Sequence, residues 1–149
     1  MLKNRRGQAL VEFTLCFIIL IIVAWIPADF GLAFYTAQLA GNAAQDGARI
    51  AAADATLATQ VGSCTVRVNC NAVTGSVMDM VSKRVGSALL PNATVTVALT
   101  GVACNQKVNV TVSGTYHFFF YRILRYIGGA ANPNQVITRQ SSMRWEYQC

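Results

Sequence analysis

The fold of this 149-residue chain is decided near its N-terminus, where residues 5–30 read RRGQALVEFTLCFIILIIVAWIPADF. Within this stretch, positions 13–28 carry no charged residue. With its flanks, the apolar run of about 22 residues gives about 33 Å of helix, enough to span the hydrocarbon core of a bilayer. The basic residues Lys3, Arg5 and Arg6 lie on one side only. This asymmetry predicts a cytoplasmic N-terminus and an exported remainder.

The composition agrees with a chain that is only partly solvated by water. It is 54% hydrophobic and 12% charged, and this charged share is about half that of an ordinary soluble domain. The length leaves room for one modest domain beside the membrane segment. Half of the net charge of +6 comes from the three basic residues before Gly7. The other basic residues are scattered, which argues against a nucleic-acid-binding surface.

A cleaved secretory signal peptide fits the N-terminus poorly. Such a peptide has an apolar region of about 7–15 residues that ends in an A-x-A-like site. Here the run is longer, and AWIPA at residues 24–28 is a poor site of this kind. An uncut single-pass anchor with a small exported ligand- or protein-binding domain is an alternative that the pattern leaves open.

Glu12 is the feature that a simple anchor does not explain. A carboxylate carried to mid-bilayer costs up to about 2.5–3.5 kcal/mol. One interpretation places Glu12 shallowly, among the headgroups. In the other, a cut after Gly7 gives Gln8 a free α-amine, which neutralises Glu12 of a neighbouring subunit inside an apolar bundle. The same cut removes the three leader charges.

The motif order resembles that of a known family. KNRRGQALVEF at residues 3–13, followed by an apolar helix, resembles a type IV prepilin processing site. With DFG at 29–31, DGAR at 46–49 and SMRWE at 142–146, the chain more narrowly resembles TadE-like pseudopilins or minor pilins of the tight-adherence (Flp) pilus system. The resemblance implies a structural subunit and not an enzyme, with the processing site at Gly7 and Gln8 and with Glu12 as the assembly residue.

The resemblance also implies partners and a location. The partners are a prepilin peptidase, the major pilin, other minor pilins or pseudopilins, an inner-membrane assembly platform and the lipid bilayer. The chain would cross the inner membrane once, with its C-terminal domain in the periplasm or in the extracellular pilus. Its function would be assembly or initiation of a pilus for adhesion or secretion.

Four segments are predicted: a leader at 1–7, a transmembrane helix at 8–30, a helical stalk at 31–58 and an exported α+β domain at 59–149. The stalk carries small residues spaced by four, namely Ala33, Ala37 and Gly41 in one row and Ala40, Ala44, Ala48 and Ala52 in another. Such rows allow close packing against a second helix. An alanine-rich helix packed on its own domain is equally compatible.

The exported domain is predicted to hold one helix on a short antiparallel sheet. Periodicity predicts a strand at 65–69, a helix at 74–90, a hairpin of strands at 94–100 and 107–116, and a third strand at 136–147. The aromatic segment at residues 117–127 is compatible with core, with a partner surface or with an element resting on the membrane.

The cysteines indicate an oxidising compartment. Cys16 lies in the membrane helix, whereas the even set on the exported side predicts two disulfides of open pairing: Cys64, Cys70, Cys104 and Cys149. A fully extended strand would hold Cys64 and Cys70 about 20 Å apart, and a loop would let them bond. No C-x-x-C pair, carboxylate pair or phosphate-binding glycine loop is present. We therefore predict no catalytic residue, metal or cofactor.

Overall fold

The chain forms a long helix with a small α+β domain packed on its second half, in a computed structural model that describes residues 5–86, 90–119, 122, 126, 128 and 134–147. The elements, with two short 3-10 turns at Leu57–Thr59 and Cys70–Ala72, are α1 (Arg5–Ala52), β1 (Gly62–Thr65), α2 (Val77–Val85), β2 (Thr94–Thr100), β3 (Lys107–His117) and β4 (Asn134–Arg144). The predicted fold class, α+β with a long apolar N-terminal helix, is confirmed.

Helix α1 has 48 residues and continues through Pro27, so that it is about 72 Å long. It ends at Ala52, earlier than the predicted end at residue 58. Beyond it, Oδ1 of Asp54 accepts hydrogen bonds from the Thr56 amide at 2.8 Å and the Thr56 hydroxyl at 2.7 Å. Side-chain acceptors of this kind replace the helical ladder with a turn. The bonds from Thr56 also lower the pKa of Asp54.

The sheet is antiparallel throughout, with the strand order β1-β2-β3-β4. The predicted hairpin is confirmed as β2 and β3, which pair along the whole of β2. The third strand, predicted at residues 136–147, is β4, and it pairs with β3 from His117↔Asn134 to Lys107↔Arg144. Alternating valines of β2 and β3 point into the core, because successive side chains of a strand face opposite sides.

The strand predicted at residues 65–69 is wrong. Strand β1 ends at Thr65, and the chain then turns back because Oδ1 of Asn69 accepts a hydrogen bond from the Thr65 amide at 2.6 Å. Within this turn Arg67 adopts a left-handed φ of 68°. The turn brings the Cα atoms of Cys64 and Cys70 to 4.9 Å, and the two cysteines form a disulfide.

Helix α2 occupies the central part of the helix predicted at residues 74–90. Its start is fixed by Ser76, whose hydroxyl accepts a hydrogen bond from the Asp79 amide at 3.2 Å, as expected of an N-cap serine. It ends at Val85. Residues 87–89 of the prediction lie outside the described residues.

The core lies between one face of the sheet, α2 and the second half of α1. Its α1 members are small, and most of its sheet members are valines. Gly47 is where α1 comes closest to both partners. A Cβ added there would overlap Cγ2 of Val81 in α2 and lie 3.3 Å from Cγ1 of Val110 in β3. The absence of a side chain at Gly47 therefore lets three elements meet.

Strand β3 runs alongside α1 in the opposite direction. Tyr116, at the C-terminal end of β3, contacts Asp29 of α1, and Val110 in the middle of β3 faces Gly47, farther along α1. Every described side chain at positions 7–28 is exposed. The first half of α1, residues 7–28, therefore stands clear of the domain and is called the bare half below. The second half, called the covered half, forms part of the core of the domain.

Candidate functional site

The predicted processing and assembly residues Gly7, Gln8 and Glu12 lie on the first turns of α1, and all three are exposed. Nε2 of Gln8 donates a hydrogen bond to Oε1 of Glu12 at 3.1 Å, one helical turn away. A Cβ placed on Gly7 would meet no atom within 4 Å. The structure thus brings Gln8 and Glu12 together on an open surface. Residues 1–4 of the predicted leader lie outside the described residues, and the cut stays a prediction.

The helix that follows Glu12 is apolar on all sides. Its most apolar window has a mean hydropathy of 2.7, and none of that window is buried. The large exposed side chains are Leu10, Val11, Phe13, Leu15, Phe17, Ile18, Ile19, Leu20, Ile21, Ile22, Val23, Trp25 and Ile26. Such a helix needs apolar surroundings, either lipid or other helices. Within the described part of the chain, α1 is the one helix long and apolar enough to cross a membrane.

The small-residue rows of α1 face the chain's own domain. Ala40, Ala44 and Ala48 are fully buried in the core, and Ala52 is nearly so. In the other row, Ala37 is buried, whereas Ala33 and Gly41 are partly buried. The sequence alone left packing on the domain and packing between helices equally open. The structure shows the first arrangement, and contact with a neighbouring subunit stays a prediction.

A buried polar contact joins α1 to the end of β3. The hydroxyl of Tyr116 lies 3.3 Å from Oδ1 of Asp29 and 3.5 Å from the backbone oxygen of Asp29, and donates toward both. Burial of the phenol, followed by the effect of the nearby Asp29 carboxylate, raises the pKa of Tyr116. Sequence analysis missed this pair. The spacing of Asp29, Ala33 and Ala37 by four places Asp29 on the same helical face as the small residues, but nothing in it points to Tyr116 as the partner.

Aromatic side chains cluster beside this contact. The Trp25 and Phe119 rings stack with centroids 5.4 Å apart, and the Phe30 and Phe118 centroids are also 5.4 Å apart. The Tyr116 ring meets Phe118 edge-on at 5.2 Å. A mostly apolar open cavity of about 380 Å³ lies between this end of β3 and α1. Of the segment predicted at residues 117–127, residues 120, 121, 123–125 and 127 lie outside the described residues.

One disulfide pairing is now defined among the four cysteines that were predicted to form two disulfides. Cys64 and Cys70 are bonded to each other. Cys104 is also disulfide-bonded, and Cys149 lies outside the described residues. Cys16 is a free thiol on the exposed apolar half of α1. The bonded cysteines therefore lie in the domain and the free thiol on the bare helix.

Side chains able to ligate a metal are dispersed over the described structure. Within those residues, no three His, Cys, Asp or Glu side chains lie close enough together to hold a metal ion. Nδ1 of His117, on the single histidine of the chain, lies 2.7 Å from Oδ1 of Asn134, across the β3–β4 pair. This contact links the end of β3 to the start of β4.

Comparison with known protein families finds a similarity in the N-terminal part of the chain. Residues 7–49 match the family model of TadE-like proteins. The resemblance predicted from the sequence is confirmed over this range, which begins at Gly7 and includes both the bare half of α1 and most of the covered half. The match suggests a pilus-related subunit, and the bare helix fits a single-pass membrane protein. No match was found among curated proteins or among solved structures.

Proposed function

We propose that this chain, TadE-like over residues 7–49, is a structural subunit of a Tad-type pilus, cut after Gly7 and assembled through Glu12. It is a minor pilin or pseudopilin with its N-terminus in the cytoplasm and its domain in the periplasm. A prepilin peptidase processes it, and an assembly platform brings it together with the major pilin and other minor pilins.

The observation that carries this proposal is the division of α1 at Asp29. Residues 7–28 are exposed on all sides, and their 22 positions correspond to about 33 Å of helix. The hydrocarbon core of a bilayer is about 30 Å thick. The bare half of α1 therefore has the length of one membrane crossing. The same apolar surface suits a bundle of subunit helices, so the segment can exchange lipid for neighbouring helices.

Glu12 supports an assembly role because it is the one ionisable side chain in this crossing other than the thiol of Cys16. Its carboxylate accepts a hydrogen bond from the side-chain amide of Gln8, but a neutral amide does not cancel its charge. A cut after Gly7 creates an α-amine on Gln8 and moves the helix N-terminus to within about one turn of Glu12. Both the amine and the positive end of the helix dipole stabilise a nearby carboxylate.

The position of Gly7 suits cleavage. The Gly7–Gln8 bond lies in the first turn of α1, which begins at Arg5. A glycine destabilises a helix by about 1 kcal/mol relative to alanine. This lowers the cost of unwinding the first turn so that a peptidase can bind it in extended form.

N-terminal mass analysis of the membrane-fraction protein, produced together with a prepilin peptidase, tests the proposal. We expect a mature chain that begins at Gln8, and we expect Gly7→Ala to retain the leader. Because a Cβ at Gly7 meets no other atom, a retained leader in that variant reports on the peptidase and not on folding. Gly31→Ala, also free of contacts on α1, is the matched control and should be cut normally. An intact residue 1 in the unaltered protein contradicts the proposal and favours the uncut anchor.

A further inference from the structure

We propose that three described residues beyond the end of β3, Phe119, Arg122 and Tyr126, form a second membrane contact in the interface of the leaflet on the domain's side. The partner is the phospholipid bilayer itself. The inference rests on the membrane span assigned to α1 in the proposed function. It adds that the domain is seated on the membrane and is not held away from it by a free stalk.

The stacking of Phe119 on Trp25 fixes the depth of Phe119. The two ring centroids lie 5.4 Å apart with an interplanar angle of 26°. Trp25 lies about 26 Å along the helix axis from Gln8, at 1.5 Å per residue. The hydrocarbon core is about 30 Å thick. With Gln8 at one boundary, Trp25 lies just inside the other, and Phe119 has to lie at the same level.

The three residues have the chemistry of an interface. Phe119 is 55% exposed and Tyr126 is 87% exposed, and Arg122, which lies between them in the sequence, is exposed as well. The Arg122 amide donates to the Phe118 carbonyl at 3.3 Å, which holds the Arg122 backbone next to the end of β3. Aromatic rings favour the boundary between acyl chains and headgroups, and an arginine next to them reaches the lipid phosphates.

Phe118 faces the domain, whereas Phe119 faces away from it. Phe118 is partly buried and packs against Phe30 and Tyr116. Phe119 makes its ring contact with Trp25, which belongs to the bare half of α1. The exposed ring of Phe119 is therefore continuous with the membrane span and not with the core of the domain.

The cavity next to this contact fits the same surroundings. The cavity has a volume of about 380 Å³, and most of its lining surface is apolar. Its walls include Trp25, Leu32, Pro91 and Phe119. Water in such a space would face mainly carbon. At the edge of a bilayer, lipid acyl chains fill it instead. The cavity then belongs to the lipid-facing surface of the protein.

Photo-cross-linking of the full chain, with one copy in each phospholipid nanodisc, tests the inference. p-Benzoylphenylalanine replaces Phe119 in one sample and Tyr147 in a matched control. Tyr147 is also an aromatic residue that is 55% exposed. It lies near the far end of the domain, since Nε1 of the nearby Trp145 donates to the backbone oxygen of Asp54, beyond the end of α1. A third sample carries the probe at Phe17, in the middle of the span.

We expect phospholipid adducts by mass spectrometry at positions 17 and 119 and none above the dark background at 147. Adducts at 17 without adducts at 119 would overturn the membrane seat and leave the span standing. Equal yields at 119 and 147 would overturn it as well, because the contact would then be unspecific. Failure at position 17 would overturn the span and the seat together. Cleavage after Gly7 is measured separately from the N-terminal mass, so the two proposals fail in distinguishable ways.

Discussion

The hydroxyl of Tyr116 lies 3.3 Å from Oδ1 of Asp29, a residue 87 positions earlier in the chain, and both residues are almost fully buried. The pair marks the boundary between the two halves of α1. The described side chains at positions 7–28 are exposed, and the small residues after Asp29 pack on the sheet. Sliding the domain along the helix would separate two buried polar groups, at a cost of about 1–3 kcal/mol. The contact therefore sets the height of the domain above the bare segment.

Removing the hydroxyl of this pair should weaken the domain measurably. We expect Tyr116→Phe to lower the free energy of unfolding by about 1 kcal/mol, because one hydrogen bond to a buried carboxylate is lost. Urea unfolding of the full chain in detergent micelles measures the effect. Tyr35→Phe is the matched control on α1, since Tyr35 is 58% exposed, and it should leave the midpoint unchanged. Equal losses in the two variants would show that the Asp29 contact contributes nothing specific.

The same pair predicts a loss of stability at alkaline pH. Burial and the Asp29 carboxylate raise the pKa of Tyr116 above its ordinary value of 10.0. The folded state thus holds the phenol proton after the unfolded state has lost it. The contribution of the protonated Tyr116 hydroxyl to the free energy of unfolding is fully present below pH 10. It declines as the pH rises through the pKa of the folded state. The difference in unfolding free energy between the unaltered protein and Tyr116→Phe should therefore shrink between pH 9 and pH 11. A difference that grows over this range would mean that folding lowers the pKa of Tyr116 and does not raise it.

Gly47 should tolerate no side chain. We expect Gly47→Ala to destabilise the domain by about 1–3 kcal/mol, the usual cost of overpacking, because its Cβ would overlap Val81 and crowd Val110. Gly31→Ala, at an open position of the same helix, should be neutral or stabilising by up to about 1 kcal/mol. Thermal unfolding of the two variants in micelles compares them directly. A stable Gly47→Ala protein would mean that α2 moves easily on α1.

The parts of the fold that sequence predicted well are those set by local pattern. The apolar run of α1 and the alternating valines of β2 and β3 are continuous signals, and they placed the long helix and the hairpin correctly. The strand predicted at residues 65–69 failed because one side chain, Asn69, captures the Thr65 amide and reverses the chain. That hydrogen bond leaves no periodic trace in the sequence.

In the candidate site, too, local features could be read from the sequence and contacts between distant residues could not. Gly7, Gln8 and Glu12 are close in sequence, so their resemblance to a prepilin processing site is visible without the fold, and their roles stay predictions. The alanine rows were ambiguous, since a small side chain packs equally well on a sheet or on a second helix. The contact of Asp29 with Tyr116 joins distant parts of the chain, and no local pattern pairs them.

The disulfide of β1 should stabilise the domain modestly. Its cysteines are separated by six positions, and closing so short a loop stabilises by about 2 kcal/mol in the chain-entropy model. We expect the double variant Cys64→Ser, Cys70→Ser to lose about that amount, measured by urea unfolding without reductant. Cys16→Ser, which removes the free thiol of α1, should unfold at the same urea concentration as the unaltered protein. If Cys16→Ser lowers the free energy of unfolding as much as the double variant does, the loss reflects the cysteine-to-serine substitutions and not the broken disulfide.

The charge of Glu12 should be required for assembly but not for processing. Glu12→Gln keeps the size of the side chain and a carbonyl oxygen able to accept the bond from Gln8, but it cannot form an ion pair with an α-amine. We therefore expect the variant to be cut after Gly7 and to insert into the membrane normally, because removing a carboxylate lowers the insertion cost by up to about 2.5–3.5 kcal/mol. Its incorporation into sheared pili or into a cross-linked complex with other pilins should fall at least about tenfold, the effect of losing about 1.4 kcal/mol at each contact. Glu146→Gln, at an exposed position near the far end of the domain, is the matched control for loss of one carboxylate. Normal incorporation of Glu12→Gln would rule out the amine–carboxylate pair while leaving the membrane span of α1 intact.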